Sequence, residues 1–388
     1  MNKALKFSSL YEKVIQPVLK NDQGIDAEYL TNSSLNLLGL ASKARNLPIF
    51  SNIMKNIHEE FCIEDDRLNQ KICGIDFCNP LGLAAGFDKN GVAANIWRDF
   101  GFGYAEIGTV TQFAQPGNPK PRLFRLAKEQ AALNRMGFNN NGAYKLQKTL
   151  IKQRIGPKEE RQNICLGINF GKSKITPLLR AKEDYIYSMK MLIPYCDYAT
   201  INVSSPNTKG LRKLQEPDLL KDLIREVKML PNCPPIFIKI SPDLNFDEID
   251  NICQLINDEK INGIIATNTS LDRLGLEDRS INQTGKTLSQ EDGGLSGKPL
   301  QRRANKVIQH IYQHDKKIVL IGVGGIDSAK SAWQRISSGA SLIQIYTGWI
   351  FRGPQLVPHI LEGLIKQMNI YSLSNIKDAI GSGLEWQD

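Results

Sequence analysis

The sequence predicts an α/β protein, a (β/α)8 TIM barrel with a small N-terminal helical segment. Eight short apolar runs recur along roughly 280 residues, with stretches of helical spacing between them, as this fold requires. Nearly all of the runs are apolar throughout rather than alternating, which is typical of strands buried on both faces. The same repetition leaves an open doubly wound sheet as the alternative architecture.

The predicted strands and helices alternate from residue 81 onward. The strands occupy residues 81–86, 104–110, 164–170, 198–203, 236–240, 263–267, 318–323 and 342–346. Helical spacing is found at residues 184–193, 217–230, 246–257, 299–313 and 328–338. Residues 272–294 are polar and rich in glycine, so we expect them to form a loop over the mouth of the barrel.

Residues 1–60 have a different pattern, with apolar residues at helical spacing in residues 11–19, 35–41 and 49–57. This pattern predicts two or three short amphipathic helices. Such helices either lie on a membrane surface or pack as a flap on their own barrel, and the pattern alone favours neither. We therefore divide the chain into a helical segment at 1–60, a barrel at 61–368 and a C-terminal tail at 369–388.

Composition and charge exclude several classes of protein. Hydrophobic residues make up 41% and charged residues 23% of the chain, which excludes a disordered or collagenous protein. No apolar run reaches the roughly 18 residues that span a bilayer, and we expect no secretory signal. The net charge of +9 has no aromatic-interleaved basic block, so it indicates a solvated surface rather than a nucleic-acid partner. The seven cysteines form no Cys-X-X-Cys pair, which indicates a reducing compartment.

The chemistry of such a barrel lies where its strands end, and here those ends are rich in Asn, Thr, Lys and Gly. An amide side chain offers two donors and an acceptor, which suits a small planar heterocycle, although a lone Asn in a loop is usually a turn residue. Lysines at two strand ends would neutralise a carboxylate and an anionic ring. The residues concerned are Lys89, Asn134, Asn202, Asn207, Lys239 and Asn268.

The four histidines lie in predicted helices rather than at strand ends. His310 and His314 have the spacing of a zinc-binding pair, but no Glu lies between them and no third ligand is evident. We expect a helix surface there and no metal site, which makes a metal hydrolase an unfavourable interpretation.

Two glycine-containing turns follow the last two strands. Gly324-Gly325 opens one helix and Tyr346-Thr-Gly348 opens the next, at the position where barrels hold a phosphate group. The alternative is that these turns only connect strand to helix. Because no Gly-X-Gly-X-X-Gly motif is present, the pattern favours a mononucleotide phosphate such as that of FMN over a dinucleotide.

Several motifs together resemble the dihydroorotate dehydrogenase family over about residues 45 to 367. Within that family the sequence is most similar to class 2, which is membrane-associated and quinone-dependent. Cytosolic members carry a Cys base where this chain has Ser205, and they lack a helical segment such as residues 1–60. The motifs are Ala84-Ala-Gly-Phe-Asp-Lys89, Glu106-Ile-Gly-Thr-Val-Thr111, Arg122-Leu-Phe-Arg125, Asn134-Arg-Met-Gly-Phe138, Asn202-Val-Ser-Ser-Pro-Asn-Thr208, Ala266-Thr-Asn-Thr269 and Gly322-Val-Gly-Gly-Ile-Asp327.

The resemblance implies oxidation of (S)-dihydroorotate to orotate in pyrimidine biosynthesis. Ser205 would be the catalytic base, with Thr208 relaying the proton and Phe138 shielding the site. A free hydroxyl is a poor base at neutral pH, and without the surrounding motif Ser204-Ser205-Pro206 would be interpreted as a turn. The substrate would be bound by Lys89, Asn134, Arg135, Met136, Gly137, Phe138, Asn202, Asn207, Asn268 and Thr269.

The resemblance also implies one FMN per chain and a membrane quinone as the second substrate. Arg125 and Tyr346 would lie at the quinone site, and residues 1–60 would give the quinone access. We expect a monomer at the cytoplasmic side of the inner membrane, bound peripherally. The FMN residues would be Ala85, Gly86, Phe87, Asp88, Lys89, Thr109, Asn169, Asn202, Lys239, Thr267, Gly297, Gly325, Tyr346 and Thr347.

Two other kinds of protein remain as alternatives. One is related flavin chemistry: a cytosolic dihydroorotate dehydrogenase using fumarate or NAD, or an FMN reductase acting on tRNA uridine. The other is a catalytically silent barrel that serves as a membrane-bound binding protein. Since every assigned substrate and FMN residue lies beyond residue 84, we expect removal of residues 1–60 to spare substrate oxidation and to impair reoxidation by quinone.

Overall fold

The computed structural model describes residues 9, 11, 13, 16–19, 26–45, 47–156 and 165–388. Eight parallel strands close into a barrel in which the last strand pairs with the first. Each of them lies within one of the predicted apolar runs, so the barrel prediction is confirmed. The barrel strands are β3 (Leu81–Leu83), β4 (Tyr104–Val110), β7 (Leu166–Phe170), β8 (Tyr198–Asn202), β9 (Ile236–Ile240), β10 (Gly263–Ala266), β14 (Val319–Val323) and β15 (Leu342–Ile345).

The helices that cover the barrel bury one apolar face each. In α6, for example, Leu220, Leu223, Ile224 and Val227 recur at helical spacing and are all buried, which is the pattern of a helix packed on a sheet. The five predicted helices are all present within a few residues. The helices after β4 are α4 (Ala143–Lys152), α5 (Ala181–Leu192), α6 (Pro217–Lys228), α7 (Phe246–Asp258), α8 (Gln301–His314), α9 (Ala329–Ser337), α10 (Thr347–Arg352) and α11 (Leu356–Ile370).

One end of the barrel is closed by a hairpin of two short strands, β1 (Gln70–Ile72) and β2 (Ile75–Phe77). Ile75 and Phe77 are buried against aromatic side chains from inside the barrel, and the rings of Phe77 and Tyr104 meet edge to face at 5.3 Å. The hairpin therefore covers this end of the barrel, and the end open to ligands is the one where the strands terminate.

The N-terminal segment forms helices α1 (Gln16–Leu19), α2 (Ala27–Ala44) and α3 (Pro48–Phe61) among its described residues. Met54, Ile57 and Phe61 of α3 are buried against the barrel, and the Phe61 ring stacks on that of Phe100 at 5.6 Å. Amphipathic helices were predicted here, and α2 and α3 confirm them. Part of the pattern at residues 11–19 lies outside the described residues.

Residues 272–294, predicted as a polar loop, consist mostly of turns and irregular structure, but they also contain short paired strands. The segment contains the short strands β11 (Ser280–Ile281) and β12 (Lys286–Thr287) and leads into β13 (Gly294–Gly297). Strand β13 completes a three-stranded antiparallel sheet with β5 (Leu123–Leu126) and β6 (Ala131–Asn134) beside the barrel mouth. Buried apolar side chains of both parts form one small core, which explains why a hydrophilic segment folds: Phe124, Leu126, Ala131, Leu133, Ile281, Leu288 and Leu295.

Residues 369–388 pack on the outer helices rather than extending from them. The Tyr371 ring stacks on Trp333 at 5.9 Å, and the Trp333 indole N–H donates to the carbonyl oxygen of Leu384 at 2.9 Å. Gln367 of α11 donates to the carbonyl oxygen of Gln387 at 2.7 Å. Across the described part of the chain, no helix combines the length and the apolar character needed to cross a bilayer.

Candidate active site

A cavity of about 1110 Å3 opens at the end of the barrel where the strands terminate. Its walls come from strand ends, from the turns that follow them and from the β5–β6–β13 sheet. Most residues singled out in the sequence line this one cavity: Ala85, Gly86, Lys89, Thr109, Asn134, Met136, Gly137, Phe138, Asn202, Ser205, Asn207, Lys239, Thr267, Asn268, Thr269, Gly297, Gly325, Tyr346 and Thr347.

Six assigned residues do not line the cavity: Phe87, Asp88, Arg125, Arg135, Asn169 and Thr208. The Arg135 side chain forms an ion pair with Glu291 at 2.7 Å and donates to the carbonyl oxygen of Pro121, so it fixes the sheet rather than facing the cavity. Arg125 is buried on β5.

Asp88 and Phe87 support the turn that follows β3. The Asp88 carboxylate accepts hydrogen bonds from the backbone N–H groups of Val92 and Ala93 at 2.8 and 2.9 Å. Burial raises the pKa of Asp88, while these hydrogen bonds oppose the rise. The Phe87 ring meets the rings of Trp97 and Tyr346 edge to face, at 5.6 Å each. Together these contacts hold the backbone that presents Lys89.

The floor of the cavity is a chain of buried polar side chains. Glu106, fully buried in the middle of β4, accepts a hydrogen bond from Asn169 at 2.7 Å. The side-chain oxygen of Asn169, Oδ1, accepts in turn from the Thr109 hydroxyl at 2.5 Å and from the Asn202 side-chain amide at 3.0 Å. The network fixes the direction of the Asn202 amide, because the Asn202 N–H2 group is committed to Asn169 and Thr109.

Glu106 also organises the opposite side of the floor. Its second oxygen accepts from Tyr198 at 3.0 Å and from Gln344 at 2.8 Å. Lys239 lines the cavity above, and burial lowers the pKa of Lys239 while the Glu106 charge acts to raise it. No described residue accepts a hydrogen bond from the Lys239 ammonium, so this cation is suited to an acceptor on a bound molecule.

Lys89, which is half-buried, is the second cation that lines the cavity. Burial lowers the pKa of Lys89 to about 8, and the nearby Glu28 and Asp88 charges raise it while Arg122 lowers it further. An anionic ligand would stabilise the charged form of Lys89, because an opposite charge at short range favours ionisation.

Ser205 lies in the loop after β8 with its side chain at the cavity wall. Its hydroxyl oxygen accepts a hydrogen bond from the backbone N–H of Asn207 at 3.3 Å. The Asn207 amide donates to both the backbone and the side-chain oxygen of Asn134, at 3.1 and 3.2 Å, which joins this loop to β6. The adjacent Ser204 is fully buried and bonded to Asn268, so of the two serines only Ser205 lines the cavity.

The glycine-rich end of the cavity depends on close packing. Gly325 has φ +73°, and a Cβ there would lie 2.6 Å from the Cα of Gln301, so no other residue fits without displacing α8. Arg335, fully buried behind this turn, donates to the carbonyl oxygen of Gly324 at 2.7 Å. The hydroxyls of Thr347 and Ser296 lie 2.9 Å apart at the same end.

One wall of the cavity is apolar and contacts the N-terminal segment. Leu123, Ala132 and Met136 line the cavity and form a cluster with Ala27, the first residue of α2. Helix α2 therefore begins directly behind the cavity wall. Elsewhere among the residues that the structure describes, no group of three His, Cys, Asp or Glu side chains is placed to hold a metal ion.

Sequence reasoning gave no role to several residues that the structure places at or beside the site. Glu106 could have been recognised from the sequence, since a charged residue inside an otherwise apolar strand indicates a functional or structural role. Gln344 carries a weaker signal of the same kind in β15. Ser296 and Glu28 carry none, because their positions depend on pairings between distant parts of the chain.

Comparisons with known proteins agree with this geometry. Residues 67–368 match the family model described as dihydroorotate dehydrogenase. The chain is 52% identical over 386 residues to the dihydroorotate dehydrogenase (quinone) of Prochlorococcus marinus strain MIT 9313, covering 99% of this chain and 98% of that protein. The chain belongs to the dihydroorotate dehydrogenase family.

Other members of the dihydroorotate dehydrogenase family are similar over comparable lengths. The dihydroorotate dehydrogenase (quinone) of Nostoc sp. PCC 7120 is 45% identical over 374 residues, covering 96% of this chain and 98% of that protein. The crystal structure of the Eimeria tenella enzyme in complex with ferulenol superimposes with a TM-score of 0.80 at 33% identity, covering 95% of this chain and 98% of that chain. The family and the quinone-dependent class predicted from the sequence are thus confirmed. The roles of individual dihydroorotate dehydrogenase site residues stay predictions.

Proposed function

We propose that this chain oxidises (S)-dihydroorotate to orotate with bound FMN and passes the electrons to a membrane quinone. Dihydroorotate oxidation in pyrimidine biosynthesis is the activity of the family. The observation that carries the proposal is the convergence of Lys89, Ser205 and the amides of Asn134, Asn207 and Asn268 on one cavity. The similar proteins are named dihydroorotate dehydrogenase (quinone), which argues against the alternative of a cytosolic enzyme that uses fumarate or NAD.

FMN fits the groups that this cavity presents. The turns at Gly325 and at Tyr346-Thr347 would hold its phosphate, and Lys239 and the Asn202 amide would contact its ring. The buried Lys239 ammonium donates no hydrogen bond to any described residue, so it is suited to a ring that gains negative charge. FMN held by these residues would supply the redox chemistry, as acceptor of the hydride from C6 of the substrate and donor of two electrons to the quinone.

Lys89 and the amide groups would bind and orient the substrate. The Lys89 ammonium would pair with the carboxylate of dihydroorotate, which raises the pKa of Lys89 from its free value of about 8. The amides of Asn134, Asn207 and Asn268 would match the carbonyl and N–H groups of the pyrimidine ring. The hydrogen bonds between Asn207 and Asn134 would hold these two side chains in place before the substrate binds.

Ser205 would take the proton from C5 of the substrate. The N–H of Asn207, which donates to the Ser205 oxygen at 3.3 Å, would stabilise negative charge that develops there. Thr208 is buried in the same loop and is retained as the proposed proton relay, although it does not line the cavity. Phe138 lies in the wall and would exclude water from the site.

The N-terminal segment, residues 1–60, would bring the quinone to the flavin and the chain to the membrane. Leu37 and Leu40 of α2 leave 68% and 61% of their surface exposed, and as residues three apart they lie on one face of the helix. The apolar wall of Leu123, Ala132 and Met136 would lead from α2 toward Tyr346, with Arg125 behind it. We propose a monomer bound peripherally to the cytoplasmic side of the inner membrane, with residues 61–368 as the catalytic barrel and 369–388 as a tail.

The test is the colour of the purified protein under anaerobic conditions. We expect a yellow protein whose flavin absorbance is bleached by dihydroorotate alone and restored by a short-chain ubiquinone. A colourless protein that cannot be reconstituted with FMN would overturn the cofactor assignment. A yellow protein that dihydroorotate fails to bleach would overturn the substrate assignment while leaving the flavin intact.

A further inference from the structure

Glu28, in the first turn of α2, is buried beside the cavity although it belongs to the N-terminal segment. Only 3% of its surface is exposed. Its two carboxylate oxygens accept from Arg122, one from Nε at 2.8 Å and one from Nη2 at 2.6 Å. Lys120 lies 3.9 Å away, and the Asn139 amide donates at 3.4 Å. Since a buried charge is retained only where it is paired and hydrogen-bonded, this carboxylate has a defined place.

Arg122 connects Glu28 to the loops that carry the substrate residues. Its Nη1 donates to the carbonyl oxygens of Pro116 and Asn118 at 2.5 and 2.7 Å. The Asn118 backbone N–H donates to the carbonyl oxygen of Met136 at 3.0 Å. The Asn118 side-chain amide donates to the backbone carbonyl oxygens of Arg135 at 2.9 Å and of Asn207 at 3.4 Å. An unbroken chain of hydrogen bonds therefore leads from the N-terminal helix to two residues of the cavity wall.

Glu28 also acts on the cavity through its charge. Burial alone would raise the pKa of Glu28, but the hydrogen bond and charge of Arg122, with the charges of Lys120 and Lys89, lower it below its usual value. The carboxylate is therefore ionised at neutral pH, and its charge raises the pKa of Lys89. The other charged groups that act on Lys89 are Asp88, which raises the same pKa, and Arg122, which lowers it.

We propose that Glu28 is a positioning residue of the substrate site: through Arg122 it fixes the loops of Met136 and Asn207, and its negative charge acts on Lys89. This inference rests on the proposed binding of the substrate carboxylate by Lys89. The N-terminal helix then contributes to substrate oxidation as well as to quinone access. Removal of residues 1–60 is accordingly expected to impair the first half-reaction, the oxidation of dihydroorotate by the flavin. The sequence analysis had predicted that this removal would spare substrate oxidation.

The experiment measures the affinity for orotate, the product, as a function of pH in the flavin-loaded enzyme. Burial and the Arg122 charge lower the pKa of Lys89, and the Glu28 charge opposes them. Because Glu28→Gln removes that charge, the pKa of Lys89 should fall below about 8. Affinity for the orotate anion should therefore decline from a lower pH than in the parent enzyme. For a shift of one pKa unit, orotate should bind roughly tenfold more weakly well above pH 8, with little change at pH 6.

Matched variants separate this role from a structural one. Glu59→Gln removes an exposed carboxylate of α3 and should leave the profile unchanged. Glu28→Asp keeps the charge and should keep the parent profile even if the loops shift and flavin reduction slows. An unchanged profile in Glu28→Gln overturns the inference, as does an equal shift in Glu28→Asp. If Glu28→Gln fails to fold, a shifted profile in folded Glu28→Asp is the overturning result.

Lys89→Met distinguishes failure of this inference from failure of the proposed function. If Lys89→Met binds orotate as tightly as the parent enzyme, Lys89 does not hold the carboxylate and the substrate assignment itself is wrong. If Lys89→Met loses affinity and Glu28→Gln keeps the parent profile, only the role of Glu28 is wrong.

Discussion

The barrel mouth and the N-terminal helices differ in which side chains they bury and which they expose to solvent. At the mouth, Glu106, Asn169 and Asn202 are buried and satisfied by one another, which leaves a rigid surface suited to a flat polar ligand. On α2, Leu37 and Leu40 are exposed while Glu28 is buried. A polar site, and an exposed apolar face on a helix whose first residue packs against the cavity wall, suit two successive reactions with different partners.

The largest expected effect is confined to the barrel mouth. Ser205→Ala should slow flavin reduction by dihydroorotate roughly 10²–10⁴-fold, the loss typical of a missing general base. FMN content should be unchanged, because this hydroxyl is assigned to the substrate and not to the cofactor. Stopped-flow absorbance measures the rate, and reoxidation of chemically reduced enzyme by quinone serves as the control, which should be normal. A parental rate of flavin reduction would place the base elsewhere, with Lys89 as the next candidate.

An intermediate effect is expected from the exposed face of α2. Replacing Leu37 and Leu40 with Ser together should weaken binding to lipid vesicles roughly tenfold or more, because each leucine loses apolar area that the lipid would bury. Turnover with a long-chain quinone should fall, and flavin reduction should not change. The matched control replaces Leu179 and Met229, which are still more exposed but lie outside the N-terminal segment. Equal losses of vesicle binding in the two double variants would remove the distinction between the regions.

The smallest effect concerns the outer layer of the barrel, away from both regions. Asn245 caps α7 by accepting from the N–H of Glu248 at 2.9 Å, and Glu248 accepts in return from the N–H of Asn245 at 2.8 Å. Asn245→Ala should lower the free energy of unfolding by about 1 kcal/mol. Urea unfolding measures this change. Both half-reactions should keep their parental rates, and a slowed flavin reduction would show that the outer helices influence the mouth.

The barrel was predictable because its signal is local. Runs such as residues 236–240 are apolar at every position, and a strand buried on both faces leaves that mark regardless of its partners. The site was predictable for the same reason, since parallel strands bring their ends together and the polar residues Asn202 and Lys239 directly mark those ends. Gln344 also marks the site, as a polar residue inside the apolar strand β15, but it is uncharged and stands before the strand end, so the sequence analysis gave it no role.

The parts of the fold and site that were not predicted depend on contacts between residues far apart in the sequence. Strand β13 joins β6 through Gly294 and Asn134, which are far apart in the chain and lie in strands of only four residues. Glu28 stands in an amphipathic helix, where a Glu is usually solvated, and its partner Arg122 lies 94 positions away. A single sequence gives no reason to connect such positions, so the link between the N-terminal helix and the substrate loops emerged only in three dimensions.

The pairing of β3 with β15 has a consequence for biosynthesis. The partners Leu81 and Ile343 lie about 260 residues apart, so at a translation rate of roughly 5–20 residues per second the edge of β3 waits tens of seconds for its neighbour to leave the ribosome. An unpaired strand edge is a template for pairing with another chain. The nascent protein therefore exposes this edge until its last barrel strand is made, and chaperones that shield open sheet edges should improve its yield.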